Sequence, residues 1–157
     1  LRESQLYRFM IKLSMGYPDP ASEIAILKDR QGANPLNDVK QVVDGKDIVM
    51  MQAETDNLHM DDAIIEYITM LSFATRQNPL IELGVSPRGS IALAGMSKAK
   101  AYISGRTYVT PEDVQSIFKD VAGHRIILNP RAKISSVTID EVINNIFRTV
   151  PVPRAMR

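Results

Sequence analysis

The sequence predicts a mainly α-helical fold, a bundle of about five or six helices preceded by one β-strand, and three observations lead to this prediction. Apolar residues recur at helical spacing through most of the chain after Pro18. Capping residues and prolines stand where these periodic segments begin. Apolar positions alternate with period two over one short stretch only, residues 9–15.

Residues 9–15 form the predicted strand. Apolar side chains occupy every second position from Phe9 to Met15, and Gly16 and Pro18 end the pattern. A single strand leaves its backbone hydrogen-bonding groups unpaired, so we expect its neighbours to belong to a sheet that this sequence does not contain. The strand and the missing initiator methionine together predict a piece of a longer chain with a truncated α/β core.

The helices are predicted from their N-terminal caps. A Ser, Thr or Asp side chain accepts a hydrogen bond from a free N–H of the first turn, and Pro fits the first helical position. Thr138 and Glu141 have the spacing of a capping box. In chain order, the expected N-caps are Asp19, Asp44, Asp61, Ser86, Thr110 and Thr138.

Apolar periodicity supports the last four of these helices. Residues at i, i+3 or i+4, and i+7 share one face of a helix and are expected to face the core. The many small residues of the fourth helix would allow another helix to approach it closely. The predicted faces are Ile64, Ile68 and Leu71; Ala92, Met96, Ala99 and Ile103; Val114, Ile117, Phe118 and Val121; and Val142, Ile143, Ile146 and Phe147.

Composition excludes several classes of function. Lys+Arg 19 against Asp+Glu 18 gives a formal net charge of +1, which disfavours nucleic acid as a partner. With no Cys and 2 His, disulfides, thiol chemistry and a metal site are not expected. Apolar runs are too short to span a membrane and the start of the sequence lacks a signal peptide's apolar core, so we expect a cytoplasmic protein.

No complete catalytic motif occurs in the sequence. A P-loop needs G-x-x-x-x-G-K-[ST], whose backbone N–H groups and lysine surround phosphates. The Gly45-Lys46 pair is followed by Asp47, and Lys40 stands at the position of the first glycine. Any catalytic function is therefore expected to be shared with residues outside this sequence.

Two arginines are candidates for binding an anion. Arg8 lies between two apolar residues just before the predicted strand. Arg88 lies in the first turn of a helix, where a cation opposes the helix dipole and the free N–H groups favour an anion. Arginine can bind two phosphate oxygens at once, although a solvent-exposed arginine without a function is the alternative at each position.

Several segments in this order resemble the C-terminal part of MoxR-type AAA+ ATPases. The combination of G-x-S-P-R-G-S with Y-V-T-P-E-D-V about 20 residues later is the most specific part of the resemblance. The segments are Leu1-Arg2-Glu3-Ser4-Gln5-Leu6-Tyr7-Arg8-Phe9, Met15-Gly16-Tyr17-Pro18, Ala74-Thr75-Arg76, Gly84-Val85-Ser86-Pro87-Arg88-Gly89-Ser90, Tyr108-Val109-Thr110-Pro111-Glu112-Asp113-Val114 and His124-Arg125.

The resemblance implies a fold and roles for individual residues. Residues 1–17 would be the end of the nucleotide-binding core, 18–153 a helical lid of the AAA+ type, and 154–157 a tail. Arg8 matches the family's arginine finger, which points into the ATP of the neighbouring subunit, and Arg88 matches the lid arginine that contacts the phosphates of its own subunit's ATP. Tyr17 and Pro18 would lie near the adenine.

Two positions depart from the family pattern. The family has Pro at the position of Arg2 and Asp at the position of Tyr7. An Asp there would orient the finger arginine by a salt bridge, which Tyr7 cannot do in the same way. Arg76 also matches a family position, and we interpret it as a member of a structural ion pair.

The resemblance also implies cofactors and partners. ATP and Mg²⁺ would be bound mainly by a core that precedes Leu1, so the fragment alone is expected to be inactive while the intact protein hydrolyses ATP. The partners would be neighbouring subunits of a homo-oligomeric ring, expected to be a hexamer, together with a von Willebrand factor A-domain protein and a client protein that the ring helps to mature or assemble. The alternatives are a free-standing helical protein-interaction or regulatory module without ATPase activity, and a member of another AAA+ clade, such as a magnesium-chelatase-like subunit.

Overall fold

The computed structural model describes residues 8–31 and 34–153. Within them it contains seven α-helices, one 3₁₀ helix (Pro35–Asp38) and one two-stranded sheet. The helices are α1 (Pro20–Asp29), α2 (Gly45–Asp56), α3 (Asp62–Gln77), α4 (Pro87–Ile103), α5 (Pro111–Ala122), α6 (Pro130–Ile134) and α7 (Ile139–Thr149), and the strands are β1 (Ile81–Leu83) and β2 (Ile127–Leu128). The prediction of a mainly helical fold is confirmed.

The chain divides into two compact units. One contains the described residues 8–12 and 53–153, and the other contains 13–31 and 34–52. The smaller unit holds α1, capped by Asp19, whose carboxylate accepts a 2.8 Å hydrogen bond from the Ser22 N–H. No residue of α1 is buried. The domain limits implied by the resemblance remain a prediction, and residues 1–7 and 154–157, to which it assigned a helix end and a tail, lie outside the described residues.

The core of the larger unit is formed where α4 packs against α3 and α5, with α7 against α3 and α5. At its centre Phe118 is fully buried and meets Phe147 edge-to-face, with the ring centroids 5.4 Å apart. The predicted faces of α3, α5 and α7 lie in this core. The face predicted for α4 is partly wrong: Ala92 is buried as expected, but Ile103 is 81% exposed. The other buried residues of α4 are Gly89, Leu93, Ser97 and Ala101.

Capping follows the sequence at four of the six expected positions. Ser86 and Thr110 stand at the N-caps of α4 and α5, but their hydroxyl groups accept no hydrogen bond from the first turn, and that part of the prediction is wrong. Asp61 accepts a 2.9 Å hydrogen bond from the Ala63 N–H at the start of α3. At α7, the Thr138 N–H donates to the Glu141 carboxylate (2.8 Å) and the Glu141 N–H donates to the Thr138 hydroxyl (3.2 Å), which confirms the capping box. These contacts satisfy N–H groups that the first turn of a helix leaves free.

The strand expected over residues 9–15 is not formed in the described chain. Its segment has no neighbouring strand, and the Lys12 N–H donates instead to the carbonyl oxygen of Asp120 at 2.9 Å. The two strands that do form were not predicted: β1 and β2 are antiparallel, with Ile81 opposite Leu128. They are too short to show a periodic pattern.

Candidate functional site

The first turn of α4 presents an exposed arginine. Ser86 precedes the helix, Pro87 occupies its first position and Arg88 its second. The turn contains no acidic residue, and Arg88 forms no ion pair within residues 8–31 and 34–153. The partial positive charge at the start of the helix and the positive charge of the guanidinium therefore lie at the same place on the surface. Such an arrangement favours the binding of an anion with several oxygen atoms.

The loop that leads into α4 is bound to the C-terminal part of α3. The buried Thr75 hydroxyl donates to the Ser72 carbonyl oxygen (2.6 Å) and accepts from the Val85 N–H (2.8 Å). The hydroxyl of Ser90, in the first turn of α4, donates to the hydroxyl of Ser72 at 2.9 Å. Gly84 packs so closely on α3 that a Cβ there would lie 2.8 Å from the backbone nitrogen of Arg76. The position of Arg88 is thus set by contacts with a second helix.

Arg8 is also exposed, and the residues after it are hydrogen-bonded to Arg125, which follows the end of α5. The Phe9 carbonyl oxygen accepts a 2.8 Å hydrogen bond from Nη2 of Arg125, and the Met10 carbonyl oxygen accepts one of 3.2 Å from Nη1. Ile11 is half-buried against the core. The backbone next to Arg8 therefore has a defined position although its side chain is free to meet another molecule.

Arg125 connects these two regions. Its side chain is 2% exposed, and Nη1 also donates to the carbonyl oxygen of Val121. A Cβ at Gly89, the residue after Arg88, would lie 3.2 Å from its Cδ. Arg125 belongs to one of the segments that carry the resemblance, but the sequence assigns it no role. The available signal was its spacing of four residues from Val121, whose side chain lies on the apolar face of α5, although Arg125 itself follows the end of that helix.

His124 lies beside this arginine. Its Nε2 is 2.7 Å from Nη1 of Arg125 and 3.0 Å from the Phe9 carbonyl oxygen. Burial lowers the pKa of His124 below its ordinary value of 6.5, and the nearby charge of Arg125 lowers this pKa further. Both effects favour the neutral imidazole.

Three other sequence-based assignments have different outcomes. Tyr17 and Pro18 are exposed members of the unit formed by residues 13–52, and their contact with adenine remains a prediction. Arg76 is not in an ion pair within the described chain; its guanidinium lies 6.0 Å from the ring centroid of Phe73. Arg2 and Tyr7, the two departures from the family pattern, lie outside the described residues.

A pocket of about 460 Å³ lies elsewhere on the larger unit. None of the predicted site residues lines it, and its walls come from the starts of α3 and α5 together with the segment between α4 and α5. Among the residues that the structure describes, no three His, Asp or Glu side chains are arranged to hold a metal ion. The lining residues are His59, Asp61, Ala63, Ile64, Tyr108, Val109, Thr110, Pro111, Glu112 and Pro153.

No helix in the described ranges is both long and apolar enough to cross a membrane.

Comparison with known proteins relates the larger unit to ATPases. Residues 73–146 match the family described as AAA lid domain. The chain is 39% identical to the uncharacterized protein YeaC of Bacillus subtilis (strain 168) over 98% of its own length and 48% of that protein. It is 31% identical to the chaperone MoxR1 of Mycobacterium tuberculosis, covering 98% of this chain and 43% of the relative.

A solved structure is similar over the same range. A protein of Cytophaga hutchinsonii described as a "putative ATPase" superposes with a TM-score of 0.87 at 30% identity, covering 98% of this chain and 49% of the other. The chain therefore spans about half the length of each of these three proteins.

Proposed function

The chain belongs to the MoxR-type AAA+ ATPases and contains their lid domain, and from this we propose that Arg88 binds the phosphates of ATP within one subunit while Arg8 acts on the ATP of a neighbouring subunit. The family as a whole uses a nucleotide and a metal ion. The oxygen atoms of a triphosphate accept hydrogen bonds but cannot donate them. The exposed guanidinium groups of Arg8 and Arg88 can donate hydrogen bonds to these oxygen atoms.

The observation that carries the proposal is the uncompensated charge at the start of α4. Arg88 is exposed, no acid stands in its helical turn, and the loop before it is held by the buried Thr75 hydroxyl. A cation opposes the helix dipole at this position, at a cost of about 0.3–1 kcal/mol. A ligand phosphate beside it would reverse that cost, since the anion interacts favourably with both the arginine and the free N–H groups.

Arg8 suits a role between subunits. Its side chain is exposed while the carbonyl groups of Phe9 and Met10 are bound by Arg125. An arginine finger gains its effect from positioning charge against the transferring phosphoryl group, and such residues contribute roughly 10³–10⁵ in rate. A guanidinium on an anchored backbone loses less freedom when it reaches its target.

The further parts of the proposal concern the whole protein. We propose that it hydrolyses ATP with Mg²⁺ as a ring, expected to be hexameric, in the cytoplasm. The lid would couple hydrolysis to chaperone-like maturation or assembly of a client protein, with a von Willebrand factor A-domain protein as partner. The 157 residues alone are expected to be inactive because they contain no P-loop. Membership of an ATPase family argues against the alternative of a helical interaction module without ATPase activity.

The test for Arg88 compares it with a matched arginine in the complete protein. Arg131 has the same local setting: Pro130 precedes it at the first position of α6, the first turn has no acid, and the side chain is exposed. We expect Arg88→Ala to lower ATP turnover at least tenfold and to disturb nucleotide-dependent lid closure, whereas Arg131→Ala stays within twofold of wild type. Equal turnover in the two variants would refute the assignment of Arg88.

The test for Arg8 uses mixed rings. Arg8→Ala should abolish hydrolysis, and mixing with subunits that have a defective P-loop but retain Arg8 should restore part of it. The physical reason is that each active site would receive its finger from the neighbouring subunit. If mixed rings recover no hydrolysis at any ratio, the action of Arg8 between subunits is wrong.

A further inference from the structure

The Arg125 side chain joins the two segments that carry the proposed phosphate-binding arginines. It is 2% exposed, and a buried guanidinium is stable only where acceptors replace the lost water. Three backbone carbonyl oxygens are among its acceptors, one within α5 (Val121) and two on the segment after Arg8 (Phe9 and Met10). A buried charge is thus used to hold a segment more than a hundred residues away in sequence.

The same side chain lies under the first turn of α4. Gly89 is buried, and a Cβ there would lie 2.6 Å from Cγ1 of Val85 and 3.2 Å from Cδ of Arg125. The first distance is shorter than real contacts allow, and the second leaves no free space. The absence of a Cβ directly after Arg88 therefore leaves room for two side chains, those of Val85 and Arg125.

From these contacts we propose that Arg125 is a positioning residue that makes the Arg8 segment and the start of α4 move together. Displacing residues 9–10 would break the hydrogen bonds that Arg125 donates to them. Displacing the first turn of α4 would remove the contact with Gly89 that confines the Arg125 side chain. Because the guanidinium is planar and rigid, the two displacements are linked through one group. The proposal rests on the proposed function for its catalytic consequence: nucleotide bound at Arg88 in one subunit would set the position of that subunit's Arg8 toward its neighbour.

The test uses Arg125→Lys in the complete protein. Lysine retains the charge but replaces the two-pronged donor with a single ammonium group, so it cannot bind both Phe9 and Met10 in the same way. We expect kcat for ATP to fall at least tenfold with KM changed by less than threefold. Arg106→Lys is the matched control, since Arg106 forms an ion pair with the buried Asp113 in the same unit and does not contact Phe9 or Met10. The kcat of this control variant should stay within twofold of wild type, even if its melting temperature falls as much as that of Arg125→Lys.

A second measurement keeps the proposal independent of activity. Hydrogen–deuterium exchange of Arg125→Lys should increase both in residues 8–12 and in residues 85–90, while Arg106→Lys leaves both segments unchanged. Gly89→Ala reaches the same side chain from the other direction, but its Cβ meets Val85 (2.6 Å) before Arg125 (3.2 Å), so increased exchange in residues 85–90 is expected from the substitution itself. The informative change in this variant is increased exchange in residues 8–12, which the link through Arg125 requires. This measurement takes the place of Arg125→Lys if the lysine variant does not fold, and unchanged exchange in residues 8–12 would then overturn the link.

The outcomes separate the two proposals. If Arg8→Ala and Arg88→Ala lose turnover but Arg125→Lys keeps kcat within twofold, Arg125 has no positioning role and the proposed function stands. If Arg8→Ala and Arg88→Ala keep full turnover, the proposed function fails, and joint exchange of the two segments still supports the mechanical link. Increased exchange in only one segment overturns the link.

Discussion

Removing the Thr75 hydroxyl tests how the start of α4 is held. Thr75→Val preserves the shape of the side chain, so no cavity forms, but the buried N–H of Val85 loses its acceptor at 2.8 Å. The donor to the Ser72 carbonyl oxygen is lost as well. The Val85 N–H is the group left without a partner, because the Ser72 oxygen lies in α3 and faces the ordinary helical N–H four residues later.

The magnitude follows from that single unsatisfied group. A buried donor without a partner costs about 1–3 kcal/mol, and we expect a loss of about 2 kcal/mol in the free energy of unfolding. For a chain of this length, 1 kcal/mol corresponds to roughly 2–4 °C in Tm, so the expected shift is about 4–8 °C. Urea denaturation monitored by circular dichroism gives the free energy, and a thermal melt gives the shift.

Thr75→Ser is the matched control. It removes one methyl group, worth about 0.8 kcal/mol, and retains both hydrogen bonds. The order of stability should therefore be wild type, Thr75→Ser, Thr75→Val, and amide exchange at Val85 should rise only in the valine variant. A valine variant as stable as the serine variant would refute the reasoning, since the hydroxyl would then contribute nothing beyond its volume.

Two further predictions concern ionisable groups in the same unit. Asp113→Ala should lower the free energy of unfolding, measured by urea denaturation, by about 2 kcal/mol, because the Thr110 N–H and Arg106 lose a buried charged acceptor. Glu141→Ala, at the exposed capping box of α7, is the comparison. A loss of stability in Asp113→Ala no greater than that in Glu141→Ala would contradict this prediction. The lowered pKa of His124 means that the unfolded chain binds its proton at higher pH than the folded chain does, so stability should be full above about pH 6.5 and fall below it. Urea denaturation measured from pH 8 to pH 5 gives the free energy of unfolding as a function of pH. In His124→Gln this free energy should fall less below about pH 6.5 than in wild type. An unchanged fall would exclude His124 as the cause of the pH dependence.

Local patterns predicted the helices well because their causes are local. The spacing of Ile64, Ile68 and Leu71 and the box formed by Thr138 and Glu141 depend on residues three or four apart, which lie on adjacent turns. The strand over residues 9–15 failed for the opposite reason. Period-two alternation shows which residues suit a strand, but a strand also needs a partner, and in the described chain Lys12 bonds to the end of a helix instead.

The candidate site was predicted only in part. The sequence singled out Arg88 because proline, arginine and the helix start are contiguous, and the side chain is exposed in the structure, while its role stays a prediction. Arg125 received no role, because nothing near it in sequence shows that its acceptors are Phe9 and Met10. The buried face of α4 was misassigned because small residues occupy several of its faces, so that periodicity alone did not distinguish them.

The amino-acid sequence by itself determined the helical class and four of the six caps, and it singled out two arginines that are exposed in the structure, since each feature depends on residues within one or two turns of the chain. Tertiary structure alone decided that Arg125 is buried, that Thr75 holds the loop before Arg88, and that Gly89 leaves room for a charged side chain. Those facts depend on close packing between segments distant in sequence, where a displacement of a few tenths of an ångström separates a contact from a clash.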